Sequence, residues 1–324
     1  MHKHLLWGLI GVGIVALLPV IVGSISSYMI GVFALCGIYV ILAVSLDLLV
    51  GYTGLISLGH NAFFAIGAYS SALLTTQYNL SPVQAIIVGI VLAGILAWLI
   101  GKPVLKLKGY YLAMATLGLG VVVHSLIIGL RDFTGGGSGI RAIPHFEIFG
   151  IQFASTFHYY YLVWGIALVI IFISLAIVNS PVGRALIAIH GDETVASSFG
   201  VDCAKYKINI FIISCMFASI AGSLLAHYMR YIAPDDFAFL TAIHILVMVN
   251  LGGTGTIFGP ILGGVFLTLL PELTFRFHYY ELFLNGFILV IVLLFMPKGL
   301  WGIILSIKNI LVKQKTVSLR SSRL

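Results

Sequence analysis

Eight stretches of this chain are long and apolar enough to cross a bilayer, and they leave room for little else. A transmembrane helix needs about 20 predominantly apolar residues to cover the hydrocarbon. Such runs lie at 5–23, 28–50, 55–76, 83–101, 110–130, 159–179, 208–229 and 280–296, with a more broken one at 242–271. Composition agrees, with 60% apolar and 8% charged residues, against roughly 25% charged in an average soluble domain. The expected fold is an all-α polytopic membrane bundle. The run at 5–23 follows a basic "MHKH" start and exceeds the roughly 7–15 residues of a signal-peptide core, so it reads as a retained first span. The cysteines, Cys36, Cys203 and Cys215, show no metal or disulfide spacing.

Basic residues set the orientation. Lys102, Lys106 and Lys108 mark one loop, Arg184, Lys205 and Lys207 a second, and Lys298, Lys308, Lys313, Lys315, Arg320 and Arg323 the tail. Short loops rich in Lys and Arg stay cytoplasmic, so all three belong on that side. The run 242–271 must then enter and return, turning at "LGGTGT" (251–256) as a short or re-entrant hairpin, which is tolerated where protein or water satisfies its backbone. Counting its arms separately gives about ten membrane segments with both termini cytoplasmic. Residues 1–300 form a single transmembrane domain and 301–324 a basic cytoplasmic tail. Arg131 and Arg141 fall outside, in the loop 131–158. "GYTGLI" (51–56) and "GGTGTI" (252–257) echo one another at cytoplasmic turns, a weak sign of an internal repeat in a chain with 36 glycines.

The segment 180–207, "SPVGRALIAIHGDETVASSFGVDCAKYK", carries six charged residues. Ser180-Pro181 is a helix-start signal, and Gly191 a stop. Asp192 then caps a second short helix, Glu193 suits the positive end of its dipole, and Gly200 closes it. On that helix Val195 and Phe199 share a face, with Ala196 beside them. A solvated loop is one reading; a docking element with an apolar anchor and a polar rim is the other.

The pattern "GRALIAIHGDETVASSFGVDCAKYK" resembles the cytoplasmic coupling loop of bacterial ABC importer permeases, specifically the LivM-type permeases of branched-chain amino-acid transporters. "GYTGLISLGHNAFFAIGAY" (51–69), "KGYYLAMATLGLG" (108–120), "TGGGSGI" (134–140) and "LVMVNLGGTGTIFGPILGGVFLTLLPE" (246–272) extend the resemblance over most of the chain. It implies an inner-membrane importer of a bacterium, built from this chain, a second related LivH-like permease, two cytoplasmic LivG/LivF-like ATPases and an external binding protein. By position Arg184, Asp192, Glu193, Val195, Ala196, Phe199 and Gly200 would couple to the ATPase. Thr194 and Val195 depart from the general pattern, which often has alanine there. Closely similar permeases serve urea importers.

Other candidates each have a plainer reading. His60 and Asn61, after Gly59, open a helix near the expected cytoplasmic end, where packing or capping competes with a pathway role. Ser70 and Ser71 either bond back to their own helix or line a pore. Gly255, Gly259 and Gly263 recur every fourth residue and allow a close helix approach. His124, His244 and Asn250 suit bonds across helices, and Asp47 a capping or ion-pair role at a helix end. "TGGGSGI" reads as a flexible external loop that faces the binding protein if the resemblance holds. Asp235 and Asp236 in "RYIAPDDFAF" (230–239) read as solvated rather than cation-binding.

The chain lacks G-x-x-x-x-G-K-[ST], so ATP, if used at all, is bound by another subunit; the resemblance implies ATP and magnesium on the partner ATPases and no cofactor on this chain. The reading is a permease subunit, not an enzyme, that forms half of a path for leucine, isoleucine or valine and has no nucleic-acid role. A secondary transporter would need carboxylates near the midplane; the acids within the clear apolar runs, Asp47 and Glu281, both lie near an end. An intramembrane enzyme would need a converging nucleophile and base, or metal ligands, and the histidines are scattered.

Overall fold

The computed structural model describes residues 27–148 and 150–274, with isolated positions nearer both ends, including 299–302. The expected first and last spans and the tail lie almost wholly outside the described residues. The helices are α1 (Ser27–Thr53), α2 (His60–Thr76), α3 (Pro82–Val104), α4 (Tyr110–Gly129), the single turn α5 (Arg131–Thr134), α6 (Thr156–Asn179), α7 (Pro181–Gly191), α8 (Glu193–Ser198), α9 (Cys203–Met229), α10 (Phe239–Gly252) and α11 (Phe258–Thr274). Among the described residues, β-structure amounts to one antiparallel two-residue pair, β1 (Glu147–Ile148) with β2 (Ile151–Gln152), and an isolated bridge between Ile140 and Ile232. Six helical stretches suit a membrane crossing by length and composition: Tyr28–Thr53, Pro82–Val104, Tyr110–Gly129, Thr156–Asn179, Cys203–Met229 and Pro234–Gly252.

α1 is apolar on every side, and a helix of that kind belongs in the middle of a bundle. Ala34, Ile38, Ile41, Leu42, Leu46 and Leu49 are all fully buried, with α6, α9, α10 and α11 packed around the helix. α2 packs most extensively on α9, because small residues let the two backbones approach. A Cβ at Gly222 would run into the Phe64 carbonyl, and one at Gly67 into the Ser219 carbonyl. In lipid such packing replaces the hydrophobic drive that associates helices in water. α3, α4 and α6 instead leave apolar faces uncovered, among them Ile87, Val91, Ile95, Val122, Leu126, Val169 and Phe172. Those are the faces lipid would cover.

α2 and α10 contain 17 and 14 residues, about 25 and 21 Å at 1.5 Å per residue, less than the roughly 30 Å of hydrocarbon. Both begin inside the bundle. After Thr53 the non-helical stretch 54–59 folds back, with Leu58 N donating to Thr116 Oγ1 at 3.0 Å, so that His60 arrives beside Ser214 and Ser45. From the opposite end a 3-10 turn, Pro234–Phe237, descends until the Phe237 carbonyl accepts from Asn61 Nδ2 at 2.9 Å. The Phe237 ring packs edge-on against Phe64 and Tyr69, with centroids 5.1 and 5.8 Å away. Irregular backbone at this depth survives because protein groups satisfy it.

The expectation that His60 and Asn61 sit at a helix end close to water is therefore corrected. They are 1% and 2% exposed, because the apolar run 55–76 is a fold-back followed by a short helix rather than one continuous span. The run 242–271 forms the hairpin α10–α11, turning at 253–257.

Interactions sort the loops by end. Lys108, α7, α8, the end of α1 and the turn 253–257 are joined at one end through Lys108–Glu193, His190–Gly51 and Asp47–Gly255. At the other end the glycine-rich loop 134–140 is ordered: Gly135, Gly136 and Gly139 take positive φ, and Ile140 pairs with Ile232.

Candidate functional site

The segment 180–198 folds as two short helices held by their own polar groups. Ser180 Oγ accepts from Val182 N at 3.1 Å, and Pro181 occupies the first position of α7, where a missing N–H costs nothing. Asp192 Oδ1 accepts from Thr194 N and Val195 N at 2.7 and 3.1 Å and caps α8. The amides of Val195 and then Thr194 hold the Asp192 carboxyl below its ordinary 3.8. Gly200, at φ 82°, closes the helix.

α8 has two distinct faces. Glu193 turns toward the bundle, 2.7 Å from Lys207 Nζ at the start of α9 and 3.4 Å from Lys108 Nζ ahead of α4. Its hydrogen bond with Lys207, and then the lysine charges, hold its carboxyl below the ordinary 4.5. Ala196 is buried on the same side, packed with Ile189 and Cys203, which separates it from the two residues it was expected to accompany. Val195 and Phe199 face outward, 52% and 84% exposed. A groove lined by Gly200, Asp202, Lys205, Tyr206 and Asn209 continues from the end of α8. Arg184 is exposed on α7 and makes no ion pair among the described residues.

Behind this segment lies a knot that sequence reasoning missed. A helix leaves its last carbonyls without intrahelical donors, and His190 Nδ1, 2.9 Å from Gly51 O, donates to one of them at the end of α1. One turn back, Asp47 Oδ1 accepts from Gly255 N at 2.9 Å. Asp47 is fully buried and forms no ion pair among the described residues, so the expected helix-end cap or ion pair is replaced by a bond to the turn 253–257. A Cβ at Gly51 would overlap Asp47 Oδ1 and Gly255 N. Gly54 and Gly255, at matching places in the two sequence echoes, both adopt left-handed φ, 69° and 73°.

The remaining candidates knit helices together. Ser214 Oγ donates to Ser45 O and accepts from His60 Nε2 at 2.8 Å, which leaves His60 Nδ1 as an acceptor without a partner among the described residues. His227 Nδ1 donates to Pro144 O, so its Nε2 accepts from Ser71 Oγ, both at 2.9 Å. Ser70 Oγ donates to Gly67 O at 3.1 Å. Gly59 lies against Thr116 and Gly120 against Asn61. Gly259 and Gly263 serve the hairpin itself, since their Cβ positions fall on the Gly253 and Met248 carbonyls, and Gly255 belongs to the turn. His124 Nε2 lies 3.7 Å from Asp235 Oδ1, while Asp236 Oδ2 accepts from Ala233 N at 2.8 Å. Among the described residues no three His, Cys, Asp or Glu side chains group as metal ligands.

Comparison with known proteins adds what geometry alone does not. The family model described as "Branched-chain amino acid transport system / permease component" matches residues 7–297. The high-affinity branched-chain amino acid transport system permease protein LivM of Escherichia coli is 34% identical over 286 residues, covering 81% of this chain and 67% of that protein. LivM of Salmonella typhimurium aligns equally well. LivH of Escherichia coli is 25% identical over 283 residues, covering 82% of this chain and 91% of that protein. No solved structure matches. With the family model spanning nearly the whole bundle and LivM similar over most of it, the chain belongs to the branched-chain amino acid transport system permease component family.

Proposed function

We propose that this chain forms one half of the translocation path of an ABC importer for branched-chain amino acids, with α8 as the element that docks on an ATPase. The chain is a multi-pass inner-membrane permease subunit, and its family consists of transport components rather than enzymes. The second half of the path comes from a related permease, as the likeness to both LivM and LivH suggests. Two cytoplasmic ATPases hold ATP and magnesium, and an external binding protein delivers leucine, isoleucine or valine. The end carrying Lys108, α7 and α8 faces the cytoplasm by its basic residues; about ten segments and cytoplasmic termini complete the topology.

The observation that carries the docking assignment is the split of α8. Its inner face is fastened by Glu193 and Ala196, while Val195 and Phe199 stand outward. A rigid helix presenting an exposed aromatic beside polar groups is a fit for a partner groove. The path itself needs only weak polar contacts if selectivity resides in the binding protein.

The test is a mild-detergent pull-down of the tagged chain from its native membrane with mass identification of what is retained, followed by leucine uptake in vesicles. Recovery of a Walker-motif ATPase and a second permease is expected. The Phe199→Asp variant should remain in the membrane, lose the ATPase and lose at least about ten-fold in uptake. Normal ATPase recovery and normal uptake by that variant would remove the docking role from α8.

A further inference from the structure

The knot behind α7 joins three elements that are distant in sequence. His190, the last residue but one of α7, holds the Gly51 carbonyl from the cytoplasmic side. Asp47, one turn earlier on α1, holds Gly255 N from within the bundle. Between them Gly51 and Gly255 touch backbone to backbone; a Cβ at Gly51 has no room, and Gly255 takes a left-handed φ of 73°. Packed elements that meet through such contacts shift together rather than deform continuously.

We propose that Asp47 is a positioning residue of the transport cycle. It locks the turn 253–257 to the end of α1 that His190 grips, so that displacement of α7 and α8 is passed to the α10–α11 hairpin. This rests on the docking role of α8, which supplies the displacement. α10 is the short helix that begins inside the bundle beside Asn61. A push on its far end at Gly252 therefore moves an element terminating at mid-depth. Asp47 is suited to the task because its Oδ1 accepts from a backbone amide. The link fixes the position of the turn whatever side chains surround it.

The lock predicts a specific defect. Asp47→Ala removes the acceptor for Gly255 N, and His190→Ala releases the Gly51 carbonyl; each should leave the transporter assembled and hydrolysing ATP while leucine moved per ATP falls about ten-fold. Asp47→Asn keeps an Oδ1 acceptor and should restore most of the coupling. Because both residues act through the same end of α1, the double variant Asp47→Ala/His190→Ala should be no worse than either single one, as groups in one linkage are non-additive.

The measurement is ATPase rate and labelled-leucine uptake in proteoliposomes of the complete transporter with its binding protein. Unchanged leucine per ATP in Asp47→Ala, or multiplied defects in the double variant, would overturn the lock. If Asp47→Ala fails to reach the membrane, His190→Ala decides, and unchanged coupling there overturns the lock equally. Normal ATPase association and uptake in Phe199→Asp alongside a coupling defect in Asp47→Ala would discard α8 as the source of the displacement and overturn its transmission through α7, while keeping Asp47 as the residue that positions the turn 253–257.

Discussion

In the segment 180–198 the polar groups are spent on the segment's own backbone and on two lysines, leaving Val195 and Phe199 turned outward. Along α2 and α9 several polar groups are spent across the helices, and His60, Asn61, Ser71, Ser214 and His227 are all buried, with His60 Nδ1 and Asn61 Oδ1 left without a partner among the described residues. Each region carries the polar residues that draw attention in an apolar chain, yet they serve opposite purposes. In the first they stiffen a surface that meets something else. In the second they replace water as the partner of groups hidden in the bundle, where an unsatisfied donor or acceptor is costly. A polar residue in a membrane helix thus marks a pathway only after its neighbours have been given the chance to satisfy it.

The seam should be the less forgiving of the two. Gly222→Leu places a side chain where α9 meets the Phe64 carbonyl. Overpacking a core costs about 1–3 kcal/mol or more, and here backbone rather than a flexible side chain must yield. The expected outcome is loss of the folded chain from the membrane fraction, read by detergent size exclusion. A monodisperse variant with an unchanged melting temperature would show that the α2–α9 contact is loose. Phe199→Asp, the corresponding break at the surface, leaves folding untouched and removes at least about ten-fold of uptake, so the two variants separate packing from docking in a single pair of measurements.

Glu193→Gln tests the brace between the regions. The variant loses its charge opposite Lys207, whose side chain is only 7% exposed. α8 should then dock less firmly, with uptake falling about three-fold while the chain stays folded; a fall as large as that of Phe199→Asp would mean that Glu193 itself touches the ATPase. The pH dependence follows from the lowered carboxyls of Asp192 and Glu193. A group whose folded pKa is depressed contributes stability above its ordinary value and loses it as pH falls through the folded one. The order of α8 should hold at and above pH 4.5, the upper of the two ordinary values, and fall away below 3.8. Proteolysis at Phe199 across that range checks it, and loosening already at pH 6 would contradict the assignment.

How much of this was legible in the sequence depended on whether a residue's role is local. Ser180, Pro181, Asp192 and Gly200 act within a few residues of themselves, so caps and stops bounded α7 and α8 correctly. The turn near 253 followed from charge bookkeeping and glycines. The split of α8 into Ala196 inward and Phe199 outward required knowing where Ile189 and Cys203 pack. His60 was misplaced because hydropathy treats 55–76 as one run and has no term for a chain that folds back before its helix begins. Asp47 looked like an end cap because Gly255, its partner, is 208 residues away. The echo of "GYTGLI" in "GGTGTI" was the signal that could have found it, since the two turns lie against each other.

The smallest effect is expected where the seam is most polar. Ser71 donates to His227, and His227 donates to Pro144 O in turn. Ser71→Ala or His227→Ala leaves a buried partner unpaired, yet hydrogen bonds between membrane helices average only about 0.6 kcal/mol in double-mutant cycles, because the unfolded chain in lipid also finds partners. We expect each single variant to lower the melting temperature slightly and the double to lose less than the sum. Leucine uptake should remain at the level of the unaltered chain. That last readout bears most directly on the contrast between the regions: Ser71 lies on α2, and a path lined by α2 would register its loss as altered uptake at unchanged stability. Such a result would turn the seam from a packing device into part of the route. A thermal shift without a transport defect would fix Ser71 and His227 as structural and leave the route to polar groups that are not already engaged.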